Sequence, residues 1–121
     1  QVTGNFTATG EVTAYYSDER LKDFEGTIPD ALDKVKKLNG YLYTENNVAR
    51  SLGYDNPNRQ AGVSAQEVQA VLPEVVVPSP VDSQYLTVKY DKLVPLLIEA
   101  IKEQQEQIES LQQTVIDIKN R

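Results

Sequence analysis

The C-terminal segment 91–121 carries a seven-residue repeat of apolar side chains, which constrains the fold more than any other feature of the chain. Two positions of each heptad form an apolar seam, and Gln, Glu and Lys fill most of the other positions. A spacing of about 3.5 residues held over successive heptads predicts helices that wind around one another as a coiled coil. The seam positions are Val94, Ile101, Ile108 and Val115 in one row, and Leu97, Gln104, Leu111 and Ile118 in the other.

The seam leaves the number of helices open. β-Branched residues in the first row with Leu in the second favour two strands, whereas Gln104 and Ile118 interrupt that pattern. Dimer and trimer are therefore both compatible with the residues. The alternative interpretation is a single long amphipathic helix that packs on its own domain and needs no partner chain.

Composition excludes several classes of function. The 121-residue chain has a net charge of −6 and no basic stripe, so we expect no nucleic-acid partner. It has no apolar run near the roughly 20 residues that a membrane helix needs, so we expect no membrane partner. Without Cys or His it lacks thiolate and imidazole ligands, and we expect no disulfide, no metal and no cofactor. The absence of Met leads us to expect part of a longer polypeptide.

The segment before the repeat mixes helix and strand signals. Residues 1–16 are rich in Thr, Val and aromatics, which predicts short strands that pair with preceding chain or with neighbouring copies. Thr27 and Asp30 resemble a capping box, and apolar residues follow at helical spacing, so we predict a helix over 28–38. The next run, 41–45, predicts a short strand.

A polar loop is predicted at 46–60, and its length suggests a contact role. Ser64 and Glu67 form a second capping box, which opens a short helix that Pro73 ends. Two strand-like runs follow, at 75–77 and 85–90. The predicted fold class is therefore α+β, a small mixed helix/strand unit with a long C-terminal coiled-coil helix.

The stretch YYSDERLK, residues 15–22, holds the strongest candidate for chemistry. A serine hydroxyl needs a base, and because the chain has no His, a Ser/Lys pair of Ser17 and Lys22 is the feasible dyad. Lys22 could act as that base only if burial or a nearby positive charge such as Arg20 favoured its neutral form. On a regular helix the two side chains would lie about 140° apart, so they could meet only across a turn or between chains. The alternative is that Ser17 starts a turn and Lys22 is a solvated charge.

Four motifs, in order, resemble one known family. They are SDERLK (17–22), ALDKVKKLNG (31–40), RQAGVSAQEVQAVLPEVV (59–76) and YLTVKYDKLVPLLIEAIKEQQEQI (85–108). The chain resembles the intramolecular chaperone auto-processing domain found at the C-termini of bacteriophage tail spikes and fibres such as endosialidases. The resemblance implies an intertwined homotrimer that registers three fibre chains and is then released by self-cleavage.

The resemblance also implies roles for particular residues. Ser17 would be the nucleophile, Lys22 its general base, and Tyr16 would supply the carbonyl of the bond that is cut. Asp18, Arg20, Gln66 and Glu67 match the motifs and would support the site, with Arg20 or a backbone N–H as a partner for the oxyanion.

The implied organisation has three parts: the end of an upstream β-fibre at 1–16, an α+β chaperone body at 17–90 and the coiled-coil helix at 91–121. The implied partners are two further copies of the chain and the upstream fibre or spike. Assembly would take place in the host cytoplasm, and the domain would leave the mature virion after cleavage.

Two other functions remain open. The first is a permanent trimerisation module at a fibre tip, whose 46–60 loop contacts a receptor and which never cleaves. The second is the processing domain of a membrane-bound eukaryotic transcription factor, in which the same family occurs.

Overall fold

The structure is a computed structural model and describes residues 16–121. Its elements confirm the predicted α+β class with a long C-terminal helix, and the strand prediction for 1–16 lies outside the described residues except for Tyr16. The helices are α1 (Ala31–Lys36), α2 (Asn47–Ser51), α3 (Ala65–Val71) and α4 (Val94–Lys119), and the strands are β1 (Tyr41–Tyr43), β2 (Gln60–Gly62), β3 (Val76–Pro78) and β4 (Leu86–Val88). Short 3-10 turns occupy Glu19–Leu21, Pro73–Val75 and Tyr90–Leu93.

Helix α1 is shorter than the predicted helix over 28–38, because the capping box at Thr27 and Asp30 does not form. Asp30 adopts a left-handed conformation with φ of 50° and makes no side-chain cap, so the helix begins only at Ala31. The backbone N–H of Ala31 donates instead to Oε2 of Glu103 on α4, at 2.7 Å. A side chain 72 residues away in sequence therefore replaces the local cap.

The predicted 46–60 loop is partly wrong, since it contains helix α2. The side chain of Asn46 accepts a hydrogen bond from Ala49 N at 3.0 Å, which is a typical N-cap. Strands β1 and β2, which precede and follow α2, pair antiparallel, with Tyr41 opposite Gly62 and Tyr43 opposite Gln60. The whole segment from β1 to β2 is thus a hairpin whose connection carries one short helix.

The Ser64 half of the second capping box is confirmed, whereas the Glu67 side chain binds Tyr41 and Asn39. Ser64 Oγ accepts a hydrogen bond from Glu67 N at 3.3 Å, α3 follows, and the chain leaves the helix at Pro73 as predicted. Strands β3 and β4 then pair antiparallel, which confirms both strand-like runs.

A small apolar core joins α1, α3 and the start of α4. Its buried members are Ala31, Val68, Leu72, Val75, Leu96 and Ala100. Helix α4 supplies only the last two, from its first turns, and most of its remaining length is exposed. The 26 residues of α4 span about 39 Å at 1.5 Å per residue, so the core supports only one end of the helix.

The predicted seam lies mostly on the uncovered part of α4. Ile101 is 64% exposed and Leu111 is 65% exposed, and the other apolar seam residues are also exposed. The alternative of a helix packed along its own domain therefore holds only for the first turns. The coiled coil itself stays a prediction. Within 16–121, no helix is long and apolar enough to cross a membrane.

Glu103 offers a test of the long-range cap on α1. We expect Glu103→Ala to lower the free energy of unfolding by about 1–3 kcal/mol, because the buried N–H of Ala31 loses its acceptor. Glu103→Gln keeps a carbonyl oxygen and should cost less. Urea denaturation measures the change, with the exposed Glu106→Ala on the same helix as control. Equal losses at both positions would contradict the cap.

Gly62 offers a test of packing at the end of β2. A Cβ at this position would lie 2.7 Å from the Tyr90 hydroxyl, which accepts a hydrogen bond from Val63 N at 3.1 Å. We expect Gly62→Ala to destabilise the fold by about 1 kcal/mol, since the Tyr90 ring must shift. The loss should shrink in a Tyr90→Phe background. Gly40→Ala is the control, because a Cβ there meets nothing within 4 Å.

Candidate active site at the Ser17–Lys22 turn

A 3-10 turn brings Ser17 and Lys22 together. Lys22 Nζ donates a hydrogen bond to Ser17 Oγ at 3.0 Å. The turn over Glu19–Leu21 separates the two residues, and Lys22 leaves it in an extended conformation with φ of −133° and ψ of 143°. Two backbone bonds close the turn, from Leu21 N to Asp18 O at 3.0 Å and from Lys22 N to Glu19 O at 3.1 Å. The two side chains meet across a turn within one chain, one of the two arrangements that the sequence left open.

Asp18 fixes the start of this turn. Its Oδ1 accepts from Arg20 N at 2.9 Å, so its side chain is the N-cap of the 3-10 turn. The Arg20 guanidinium pairs with the same carboxylate, from Nε to Oδ1 at 3.0 Å and from Nη2 to Oδ2 at 2.7 Å. This pair, and then the backbone bond, lower the pKa of Asp18, and the pairing raises the pKa of Arg20. Sequence reasoning named both residues but missed that they bind each other.

Tyr16 places an aromatic ring beside the dyad. Lys22 Nζ lies 5.9 Å from the centroid of the Tyr16 ring, a distance at which the ring face attracts a cation. The ring is 70% exposed, and Ser17 is also exposed. In a single chain the dyad therefore lies at the surface, with Lys22 Nζ as the donor and the Ser17 hydroxyl as the acceptor.

Glu67 occupies a separate cluster on the body. Its Oε2 accepts from the Tyr41 hydroxyl at 2.5 Å and its Oε1 accepts from Asn39 Nδ2 at 3.3 Å. The hydrogen bond to Glu67, with some burial and the carboxylate charge, raises the pKa of Tyr41. Within residues 16–121 no hydrogen bond links Glu67 or Gln66 to the dyad. Sequence reasoning did not identify this cluster. The residue that could have indicated it is Tyr41, which lies in β1 opposite Gly62 and close in sequence to Asn39.

The surface of the body also carries open cavities. Gln66 is exposed and lines a cavity of about 460 Å³ with Tyr43, Tyr85 and Tyr90. A second cavity of about 490 Å³ lies between the α2 segment and β4, lined among others by Val48, Tyr54 and Tyr85. In the described range 16–121, no group of three or more acidic residues is placed to hold a metal ion.

Comparison with known proteins places this site in a family. Residues 17–77, about half of the chain, match the peptidase family described as chaperone of endosialidase. The match begins at Ser17 itself, covers the dyad, the first three helices and the first two strands, and ends within β3. The chain belongs to this family.

Curated relatives of this chaperone domain are phage fibre proteins. The chain is 41% identical over 88 residues to the long tail fiber protein Gp37 of Enterobacteria phage K3, which is 71% of this chain and 7% of that protein. It is also 41% identical over 88 residues to the Gp37 of Enterobacteria phage T2, and 36% identical over 87 residues to that of Escherichia phage AR1. The chain spans less than a tenth of the length of these relatives.

Family membership gives a context to the residues already described. Ser17, Lys22, Asp18, Arg20, Gln66 and Glu67 all lie inside the matched residues 17–77, and Tyr16 lies immediately before them. The family carries both a peptidase and a chaperone description, which fits a surface Ser/Lys contact at the start of a small folded body. Helix α4 and its seam lie beyond the matched residues.

Proposed function

We propose that this chain is a C-terminal intramolecular chaperone of a phage tail fibre or tail spike, released by cutting its own Tyr16–Ser17 bond. The observation that carries the proposal is the 3.0 Å contact between Lys22 Nζ and Ser17 Oγ in a chain of the endosialidase chaperone family. The proposed partners are two more copies of the chain and the upstream fibre. The tail-fibre relatives support that partner.

The cleavage is a single-turnover acyl transfer. With Lys22 as a neutral amine, the serine hydroxyl donates to Nζ, loses its proton, and its Oγ attacks the carbonyl carbon of Tyr16. The C–N bond to Ser17 then breaks, and Lys22 returns the proton to the leaving nitrogen. The ester between Tyr16 and Ser17 Oγ takes up one water molecule. The products are a Tyr16 carboxylate and a fragment that begins with Ser17.

We expect cleavage to follow assembly. In the single chain Ser17 is exposed and Lys22 is only partly buried, and Lys22 Nζ donates to Ser17 Oγ instead of accepting from it. Burial of the pair against the assembled fibre would favour the neutral amine that a general base requires.

The chaperone role follows from the topology of fibres. Intertwined β-fibres rely on contacts between chains, so their folding is slow and prone to errors of register. Three α4 helices joined through their seam would raise the effective concentration of the upstream strands. Once the chaperone domain has been released, a high barrier to unfolding keeps the fibre folded.

The proposed organisation keeps residues 1–16 with the fibre, 17–90 as the chaperone body and 91–121 as the association helix. Assembly takes place in the host cytoplasm, and the mature virion retains only the fibre. This assignment makes Ser17 the first residue of the discarded piece.

Intact mass of the full-length fibre protein tests the function. Wild type, Ser17→Ala and Lys22→Ala are followed over hours after trimers form. We expect only wild type to lose a fragment that begins at Ser17. If all three stay intact while trimers form, the domain is a permanent trimerisation module, and its 46–60 segment becomes the candidate contact surface.

A further inference from the structure

The 3-10 turn that joins the dyad is held by local bonds alone. None of its three residues is buried, and Leu21 is 68% exposed. A short exposed turn of this kind gains little from packing, so its hydrogen bonds decide how often it forms. Besides the two backbone bonds, the side-chain bonds that hold it in the described chain are those between Asp18 and Arg20.

Asp18 makes three of these bonds with a single residue. One oxygen accepts from both the backbone N–H and Nε of Arg20, and the other oxygen accepts from Nη2. The backbone bond fixes the first residues of the turn, and the two guanidinium bonds hold the Arg20 side chain against its start. The direction in which Lys22 leaves the turn therefore depends on Asp18.

We propose that Asp18 is a positioning residue for cleavage, which through Arg20 holds the turn that presents Lys22 Nζ to Ser17 Oγ. This inference rests on the proposed function. The inference also makes Arg20 a partner of Asp18 and not of the oxyanion, because Nε and Nη2 of its guanidinium already donate to the Asp18 carboxylate.

The charges around the turn agree with this role. Arg20 is neutralised by Asp18, while Glu19, Asp23 and Glu25 add negative charge along the same segment. Because Arg20 lowers the pKa of Asp18, the carboxylate stays ionised from neutral pH into the acid range and loses its charge only below its usual pKa. The pair is thus intact at every pH at which a lysine could act as a base.

The length of the side chain at position 18 separates its two contributions. Asparagine keeps an oxygen at the same place, so it can still cap the turn but forms no ion pair. Glutamate keeps the charge, but its extra methylene moves the carboxylate away from the Arg20 N–H. Alanine removes both contributions.

Single-turnover cleavage of the full-length fibre protein tests the assignment. We expect Asp18→Ala to slow cleavage by about 10²-fold, the effect of misplacing a reacting group by about 1 Å. Asp18→Asn should recover most of the rate and Asp18→Glu little of it. Arg20→Ala keeps the backbone N–H that Asp18 accepts from, so it should slow cleavage no more than Asp18→Asn does. The double variant should be no slower than Asp18→Ala, since the two residues act as one unit.

Two controls separate positioning from other effects. Glu19→Gln removes a negative charge from the same turn, makes no side-chain hydrogen bond in the described chain, and should leave the rate within about twofold. The Asp18→Ala defect should persist at alkaline pH, where proton abstraction no longer limits the rate, and trimer yield should not change.

The outcomes are distinct. If wild type cleaves and Asp18→Ala cleaves equally fast, Asp18 has no positioning role although the proposed function stands. If Asp18→Glu matches wild type, charge alone matters and the turn geometry does not. If wild type itself never cleaves, the proposed function fails and the positioning role fails with it.

Discussion

Replacing Lys22 with arginine should abolish cleavage as completely as replacing it with alanine. Arginine keeps the positive charge, the donors that can reach Ser17 Oγ and the attraction to the Tyr16 ring. It cannot give up its proton at any pH that a protein tolerates. If Lys22 only holds the serine in place, the arginine variant should still cleave. If Lys22 is the general base, it should not.

We expect the rate to fall by at least about 10³-fold, because general-base assistance to a weak nucleophile is lost altogether. Intact mass of the full-length fibre protein over hours gives the rate, and sedimentation confirms that trimers still form. Lys36→Arg is the matched control, an exposed lysine on α1. Cleavage of the arginine variant at the wild-type rate would show that Lys22 is not the base.

Local signals predicted the elements whose causes are local. Ser64 caps α3 with its own side chain, Pro73 ends that helix, and both effects are legible in the sequence within a few residues. The same reasoning placed the β1 and β3–β4 strands. It failed for α2 because the turn formers Gly53, Asn56 and Pro57 led to a loop prediction for all of 46–60, although Asn46 caps a short helix there.

The start of α1 could not be predicted because its cause is distant. Thr27 and Asp30 have the spacing of a capping box, yet the first N–H of the helix, that of Ala31, donates to Glu103 from α4. Nothing in the sequence of residues 27–38 indicates that Glu103 is the acceptor. A single sequence gives no means of weighing a local cap against an acceptor 72 residues away.

In the candidate site, too, local contacts could be predicted from the sequence and distant contacts could not. The Ser17–Lys22 contact needs only the turn between them, so the motif sufficed to propose it. The bonds between Asp18 and Arg20 were equally local, but many pairings are possible among five charged residues in seven. Glu67 was grouped with the dyad by motif alone, and its contacts with Tyr41 and Asn39 depend on how β1 packs beside α3.

Placing a lysine in the predicted seam of α4 should prevent the proposed trimer from forming while each chain stays folded. Ile108 lies in the predicted seam and is 43% exposed, far from the core that α4 shares with α1. Ile108→Lys would place three ammonium groups together in a dry interface, which costs far more than the lost apolar contact. We expect association to weaken by at least about 10²-fold, with the fold of each chain unchanged.

The control is a lysine on another face of the helix. Gln113→Lys changes an exposed residue that lies outside the seam, about 140° around the helix from Ile108. Sedimentation across a range of protein concentrations gives the mass of the assembly, and circular dichroism follows the body. Loss of trimers in both variants would show that the heptad frame is misplaced. Loss in the Ile108 variant alone, together with loss of cleavage in the full-length protein, would tie the exposed seam to the activation of Ser17, because the same assembly would supply both register and a dry site.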